Sequence, residues 1–475
     1  MAFNFIIFDL VFLALFIVFT SIFLYVNKRN LGSEGGLILY RTQWGIKLIN
    51  YIGGKYKKTL KALSYVSISL GYVLMTGILL LIFQTVYIYL TTPIARVIKA
   101  PPIMPLIPYF PRLFGVESFF PPFYFIYFIV AVGIVATVHE FSHGIFARRF
   151  GIKIRSTGFA FLKWLPALFG AFVEQDEKQM EKASKYEQMS ILSAGVFANI
   201  IVTLIFFLLL VGFFGFAFAP AGVSFDSYSY SIVGLSSIIS INGQEIIDSN
   251  YENILGLLND EELNVIQTED KKYVTTKNFF DSQEEKEGFV VLYNDAPAVK
   301  VNLGGIIQEI NGVTITSTEK LTEELNRYNP GDKITIKSIK ESSVSEDEIV
   351  LAENPNIEGK PFLGIGFFEK SGKGILGKVY GFISGFKDKS VYYEPNFESS
   401  VFIYDLLWWI IIINLLVALF NMLPLGFLDG GRFFYLTVFG ITKSKKFAER
   451  LFTGITYFLL FLLLVLMVKW GFTFF

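Results

Sequence analysis

The stretch from Phe123 to Ala147, FYFIYFIVAVGIVATVHEFSHGIFA, decides how this chain is organised. It holds one acidic residue, Glu140, and no Lys or Arg. A helix needs about 20 predominantly apolar residues to cross the hydrocarbon core of a bilayer, so the stretch predicts a membrane-spanning helix. The same helix carries both histidines of the protein, His139 and His143.

Five other stretches are long and apolar enough to be further spans. They are Phe5–Val26, Tyr65–Leu90, Met189–Ala219, Leu406–Leu428 and Leu451–Val468. The first of them carries one charge, Asp9, and lacks the basic n-region of a signal peptide, so we interpret it as a retained span. With 53% hydrophobic and 17% charged residues and a mean hydropathy of +0.52, the sequence predicts a multi-pass α-helical membrane protein with about six transmembrane helices.

Composition also excludes several functions. The 41 Lys and Arg residues balance the 41 Asp and Glu residues, which argues against a nucleic-acid partner because such proteins usually carry a basic excess. The chain has no Cys, so thiol catalysis and thiolate metal ligands are excluded.

The short loops predict the orientation in the membrane. The connections 27–63 and 148–188 hold eight Lys and Arg residues each, whereas 91–122 holds three. Basic loops stay in the cytoplasm, so we expect both termini outside the cell membrane. Residues 1–92 would then form two spans with a basic cytoplasmic loop. Residues 93–121 contain seven prolines and predict a non-helical external loop, with a spacer as the plain interpretation and a lateral gate as the alternative.

Residues 221–370 differ from the spans, with 26 acidic and 12 basic residues and short alternating runs. They predict an inserted α+β region outside the membrane, in two parts, 221–283 and 284–370. Asn242-Gly243 and Asn311-Gly312 each follow a β-branched run and predict two hairpins. The stretch from Asp295 to Gly312, with the Pro-Gly-Asp turn at 330–332, resembles a PDZ domain, and the first part is PDZ-like. Such domains bind extended peptides by strand addition, and a passive covering domain is the alternative.

The chemistry is carried by His139-Glu140-Phe-Ser-His143. Histidines four residues apart share one face of a helix and can bind one Zn²⁺ beside the intervening Glu. Ionisable side chains in a lipid-spanning helix are expensive and usually functional, which disfavours two merely buried histidines. A catalytic zinc needs a third protein ligand and an open position. The candidates are Asp429, which would end the fifth span, and the carboxylates Glu174, Asp176, Glu177 and Glu181. Asp429 is the better candidate, because Gly430 and Gly431 would let the backbone unwind or approach closely.

The run from Asn421 through Pro424 to Asp429-Gly430-Gly431 matches the N-x-x-P-x-x-x-L-D-G-G signature in full. With H-E-x-x-H and the PDZ-like insert, the chain resembles the site-2 protease family of intramembrane zinc metalloproteases, of the archaeal or bacterial type. The resemblance covers 122–219 and 400–436 well and the insert moderately, and the first, second and last spans match by hydrophobicity alone. Residues 122–219 and 400–475 would be the two halves of a catalytic core. It implies one Zn²⁺ on His139, His143 and Asp429, with Glu140 as general base and acid. Substrates of the family are typically membrane-tethered regulators cleaved within or near a transmembrane segment.

Two further pieces fit the resemblance. Ala194-Gly195 to Asn199 resembles the family's A-G-P-x-x-N motif, with Val196 where Pro is usual. Gly158 to Glu174 resembles its membrane-associated β-loop, which would pair with an unwound substrate. An ordinary interfacial hairpin is the alternative interpretation of the same residues. Asn199 and Asn421 are candidates for binding the oxyanion or the substrate backbone.

Three other functions compete with this one. A membrane-anchored zinc protease acting at the cytoplasmic surface would use a ligand from Glu174, Glu177 or Glu181. A receptor or chaperone derived from a protease would need no catalysis. A transporter could also place acids in the membrane, but it gives no reason for H-E-x-x-H.

Overall fold

The computed structural model describes residues 5–92, 101–102, 104, 106–246, 249–260, 262–283, 288–340, 343–367, 381 and 385–472. Two compact units are present, residues 1–214 with 401–475, and residues 215–400. Part of the Pro-rich segment and residues 284–287, three Glu and one Lys, lie outside the described residues.

Fourteen α-helices occur among the described residues. They are α1 Phe5–Val26, α2 Ile46–Lys55, α3 Lys57–Thr91, α4 Phe110–Leu113, α5 Phe125–Arg149, α6 Glu177–Lys182, α7 Lys185–Ala217, α8 Tyr251–Leu257, α9 Lys277–Asp281, α10 Pro297–Lys300, α11 Thr318–Leu325, α12 Ser400–Asn421, α13 Asp429–Thr442 and α14 Lys445–Gly471. Short 3₁₀ turns span Lys28–Asn30 and Leu235–Ser237. Within the described ranges, six helices (α1, α3, α5, α7, α12 and α14) are long and apolar enough to cross a membrane, which confirms the multi-pass prediction.

The strands fall into both units. They are β1 Leu31–Glu34, β2 Leu37–Thr42, β3 Ile154–Leu162, β4 Phe169–Gln175, β5 Phe218–Ser224, β6 Ser227–Tyr228, β7 Tyr230–Gly234, β8 Ile238–Ile241, β9 Gln244–Glu245, β10 Asn264–Thr268, β11 Lys272–Thr275, β12 Phe289–Asn294, β13 Ile306–Ile310, β14 Val313–Thr314, β15 Lys333–Lys340, β16 Ser343–Val350, β17 Ala352–Glu353, β18 Pro361–Phe362, β19 Ile365–Gly366 and β20 Val391–Pro395.

The end of the fifth span corrects a sequence prediction. Helix α12 ends at Asn421, and Asp429 begins α13 instead of ending the span at 406–428. Residues 422–428 form tight turns, in which Leu423 N–H donates to Phe420 O and Leu428 N–H to Leu425 O. The residues of this turn are apolar, so hydropathy does not distinguish the turn from the helix before it. Pro424 is the residue that marks the end of the helix.

The amino end of α5 is held by the first span. Asp9 of α1 is buried and accepts hydrogen bonds from the backbone N–H groups of Phe125 (2.6 Å) and Ile126 (3.0 Å). Tyr109 donates its hydroxyl to the same carboxylate at 2.6 Å. Because the first N–H groups of a helix have no partner within the helix, Asp9 acts as a cap supplied by another helix.

The described part of the Pro-rich segment is more than a spacer. It contains the one-turn helix α4, contrary to the non-helical prediction, and Phe110 and Val116 are buried. Phe110 packs edge-on against Trp409 of α12, and Trp409 donates its indole N–H to Pro122 O. Proline is tolerated in the first turn of a helix, which is where Pro111 stands.

A four-stranded antiparallel sheet in the order β1-β2-β3-β4 belongs to the first unit. Strand β2 pairs with β3 from Leu37 opposite Leu162 to Thr42 opposite Thr157. Residues 154–175 thus form the hairpin predicted for Gly158 to Glu174. The hairpin at 31–42 does not follow from the basic charge of the 27–63 connection. Gly35-Gly36 between two short β-prone runs was the available signal.

The second unit contains two six-stranded sheets, each beside its own apolar core. Both Asn-Gly hairpins are confirmed: Asn242 and Asn311 have positive φ angles of 50° and 47°, and the flanking strands pair. The boundary at 283/284 does not follow the strands, since β12 pairs with β7 and β11 of the first sheet. Strands β5 and β20 also join the second sheet from outside 284–370. Likeness to PDZ domains stays a prediction.

Candidate metal centre

The structure brings His139, His143 and Asp429 together. His139 and His143 lie one turn apart on α5, and Asp429 is the first residue of α13. The Nε2 atoms of the two histidines are 3.0 Å apart, and Asp429 Oδ2 is 3.2 Å from each of them. Three potential ligand atoms therefore converge on one point, and they form the His/Cys/Asp/Glu cluster with metal-ligand spacing found in the described part of the chain.

These distances fit a tetrahedral metal ion. Bonds of about 2.0–2.1 Å to nitrogen and oxygen place neighbouring ligand atoms roughly 3.3 Å apart. The observed separations of 3.0–3.2 Å are close to that edge length. Both histidines are buried, and three protein ligands leave a fourth position open, as a catalytic site requires.

The hydrogen bond made by the second ring nitrogen of His143 also fits a role as a metal ligand. Its Nδ1 donates to the backbone carbonyl of Ile191 at 2.7 Å. A carbonyl can only accept, so in the neutral imidazole Nε2 keeps its lone pair toward His139 and Asp429. Metal-binding histidines usually make such a bond with their second nitrogen.

Close packing at three glycines shapes the centre. A Cβ on Gly195 of α7 would lie 2.5 Å from His143 Nε2 and 2.6 Å from His139 Cε1. A Cβ on Gly430 would collide with the carbonyl group of Met422, and one on Gly431 with that of Leu425. The glycines after Asp429 therefore allow close approach, one of the two roles expected of them, whereas the unwinding expected there is not seen because both lie in α13.

Glu140 lies beside the triad without belonging to it. It lines a cavity of about 280 Å³ together with His139, Asn421 and Asp429. The remaining lining is apolar and comprises Val135, Ala136, Val417, Phe427 and Leu428. The Oε2 atom of Glu140 accepts a hydrogen bond from the backbone N–H of Val173 at 3.1 Å. The amide of Val173 therefore points away from β3, toward the outer edge of β4.

The carboxylates of the 174–181 segment are engaged elsewhere. Glu174 accepts the hydroxyl of Ser156 at 2.5 Å and the Nε–H of Arg41 at 3.3 Å. The Ser156 hydrogen bond is the largest influence and holds the pKa of Glu174 below its usual value, with Arg41 acting in the same direction and burial opposing both. Asp176 caps α6 and pairs with Arg155. Neither they nor Glu177 and Glu181 join the triad.

The two asparagines occupy different places. Asn421 Nδ2 is 3.5 Å from His139 Nε2, at the wall of the cavity. Asn199 is fully buried and lies 3.1 Å from the other nitrogen of the same ring. Pro424 lies in the turn between α12 and α13, and its carbonyl accepts from Thr456. Arg432, three residues after Asp429, donates to Gln188.

Comparison with known proteins agrees with this geometry. The family model for peptidase family M50 matches residues 127–466, which include the triad, the insert and most of the last span. An uncharacterized protein of Methanocaldococcus jannaschii is 26% identical over 406 residues, covering 85% of this chain and 78% of the relative. The family match extends over more than two thirds of the sequence. This chain therefore belongs to peptidase family M50, a family of membrane metalloproteases.

Proposed function

We propose that this protein is an intramembrane zinc endopeptidase that hydrolyses peptide bonds within or near the transmembrane segments of membrane-tethered protein substrates. The observation that carries the proposal is the convergence of His139, His143 and Asp429 beside Glu140 in a largely apolar cavity. Two ligands come from a helix with the length and composition of a membrane span, and the third is the first residue of α13, after the turn that follows another such helix.

The residues divide the chemistry between them. His139, His143 and Asp429 would hold one Zn²⁺, which would act as a Lewis acid toward the scissile carbonyl. Glu140 takes a proton from the attacking water and returns it to the leaving amine, so that the C–N bond breaks as water is added. Asn421 is placed at the cavity wall, where its amide can donate to the developing oxyanion or to substrate backbone.

The position of the outer edge of β4 supports binding of an extended substrate. Val173 directs its N–H to Glu140, so this edge of the sheet runs past the proposed base. An unwound substrate segment can pair with such an edge by strand addition, which presents its backbone to the centre. Unwinding is required because the side chains of a helix shield its peptide bonds.

The charge distribution supports an orientation. With the basic connections in the cytoplasm, both termini and the insert would lie outside, and the centre would lie toward the cytoplasmic half of the membrane. The insert could then select among substrates by their external parts.

Zinc content and hydrolysis test the proposal in four proteins. We expect about one zinc per chain in the wild type, a marked loss in Asp429→Ala, and retention in the control Glu174→Gln, because Glu174 bonds to Ser156 and Arg41 instead of the triad. Glu140→Gln should keep its zinc and lose about 10²–10⁴-fold in hydrolysis of a single-pass membrane substrate.

Two results would contradict the proposal. Zinc retained in Asp429→Ala and lost in Glu174→Gln would favour the surface protease. Zinc bound as expected, with substrate captured and no cleavage by wild type, would favour the receptor or chaperone.

A further inference from the structure

Asn199 and Asn421 flank opposite nitrogens of one imidazole ring. Asn421 approaches Nε2 of His139 from the cavity, whereas Asn199 approaches Nδ1 from the protein interior, on α7. Asn199 has no exposed surface and does not line the cavity. A substrate in the cavity would therefore contact Asn421 and not Asn199. The two asparagines, which have the same predicted role in the sequence analysis, therefore have different environments.

The proton on His139 decides what Asn199 does. A neutral imidazole carries one N–H, and its other nitrogen has the lone pair that a metal needs. Nε2 of His139 faces His143 and Asp429, so a ligand at this position requires the N–H on Nδ1. That N–H needs an acceptor, and Asn199 is the polar group in contact with Nδ1.

The amide of Asn199 has a spare acceptor of the right kind. Its Nδ2 lies at 3.1 Å from Nδ1, while its Oδ1 is buried without a hydrogen-bond partner among the described residues. Rotation of the amide by 180° exchanges the two atoms and places Oδ1 against the Nδ1–H. The same pairing of N–H with a carbonyl oxygen already holds His143 against Ile191.

We propose that Asn199 is a positioning residue whose amide oxygen accepts the Nδ1–H of His139 and so fixes the tautomer and ring orientation that direct Nε2 to the metal. This inference rests on the proposed function, because it takes the triad as the metal site. Outer partners of metal-binding histidines commonly contribute 10–100-fold to metal affinity.

Zinc affinity of the purified full-length protein, measured by competition with a chromogenic chelator, tests the role without any substrate. Asn199→Ala should bind zinc about 10–100-fold more weakly than wild type. Asn199→Asp should stay within about threefold of wild type, because a carboxylate accepts the same N–H although it cannot donate. If Asn199→Ala does not purify as a folded protein, Asn199→Ser replaces it, since the serine hydroxyl is too short to reach Nδ1.

The matched control is Asn414→Ala. Asn414 is equally buried, its Oδ1 also lacks a partner among the described residues, and its Nδ2 donates to Ile410 of its own helix α12. We expect this variant to bind zinc like the wild type. An equal loss in Asn414→Ala would assign the effect to general packing and overturn the inference.

The remaining outcomes are also decisive. Wild-type affinity in Asn199→Ala, or a loss in Asn199→Asp as large as in Asn199→Ala, would overturn the positioning role. If wild type binds zinc through Asp429 and Asn199→Ala binds it equally well, only this inference fails. If wild type binds no zinc, the proposed function fails with it.

Discussion

Replacing Gly195 by Ala should damage the metal centre without damaging the helix that carries it. The added Cβ would lie 2.5 Å from His143 Nε2, 2.6 Å from His139 Cε1 and 2.7 Å from His139 Nδ1. Favourable contacts between such atoms begin at about 3.5 Å, so the rings must move by roughly 1 Å. Metal sites tolerate about 0.2 Å in ligand distance, so the displacement exceeds the tolerance several-fold.

The magnitude follows from the same contacts. Overpacking of a close-packed site costs about 1–3 kcal/mol, and the upper end of this range corresponds to about 100-fold in an equilibrium constant. We therefore expect Gly195→Ala to bind zinc about 100-fold more weakly than wild type. The helix itself should persist, since Ala is a better helix former than Gly by about 1 kcal/mol.

Chelator competition and thermal unfolding in detergent check this expectation together. Gly212→Ala is the control, because Gly212 lies on the same helix and a Cβ there meets nothing within 4 Å. Wild-type zinc affinity in a folded Gly195→Ala protein would refute the reasoning, and so would an equal loss of affinity in Gly212→Ala.

Two further predictions concern the first span and the orientation. Asp9→Ala removes the acceptor of two backbone N–H groups and the Tyr109 hydroxyl, so it should lower the free energy of unfolding by about 2–4 kcal/mol, whereas Ser21→Ala on the exposed side of α1 should leave it unchanged. Equal melting temperatures for the two variants would contradict the capping role. Because the chain has no Cys, single cysteines at the exposed positions Ser236 and Lys178 can be labelled with an impermeant maleimide in intact cells. We expect labelling of Ser236→Cys alone, and labelling of Lys178→Cys instead would reverse the orientation.

Sequence reasoning predicted the spans well because their signal is local. The helix at Phe5–Val26 has the predicted limits, and the other spans differ mainly in added polar turns at their ends. The predicted fifth span extends too far because residues 422–428 are as apolar as the helix before them, although Pro424 is a sequence signal for the turn found there. Asp429 was therefore found by its motif, while its position at the start of α13 was not.

Long-range pairing limited the remaining predictions. Strand β2 pairs with β3 across more than a hundred residues, and no local pattern in either strand specifies the other. The predicted boundary at 283/284 fails for the same reason, because β12 lies beyond it and still pairs with β7 of the first sheet. Likewise, Asn199 and Asn421 had the same residue type and the same proposed role, and only contacts with opposite ring nitrogens distinguish them.

The distance along the chain between the proposed metal ligands has a consequence for biosynthesis. His139 and Asp429 are 290 positions apart, and the whole 215–400 unit is made between them. A ribosome must therefore complete most of the protein before the third proposed ligand exists, so a metal ion with all three ligands would bind a nearly finished chain. At a free ion concentration of 100 times the Kd, binding would stabilise the folded state by about 2.7 kcal/mol. That stabilisation would join the two segments of the first unit late in synthesis. Chains that end before Asp429 would not gain it.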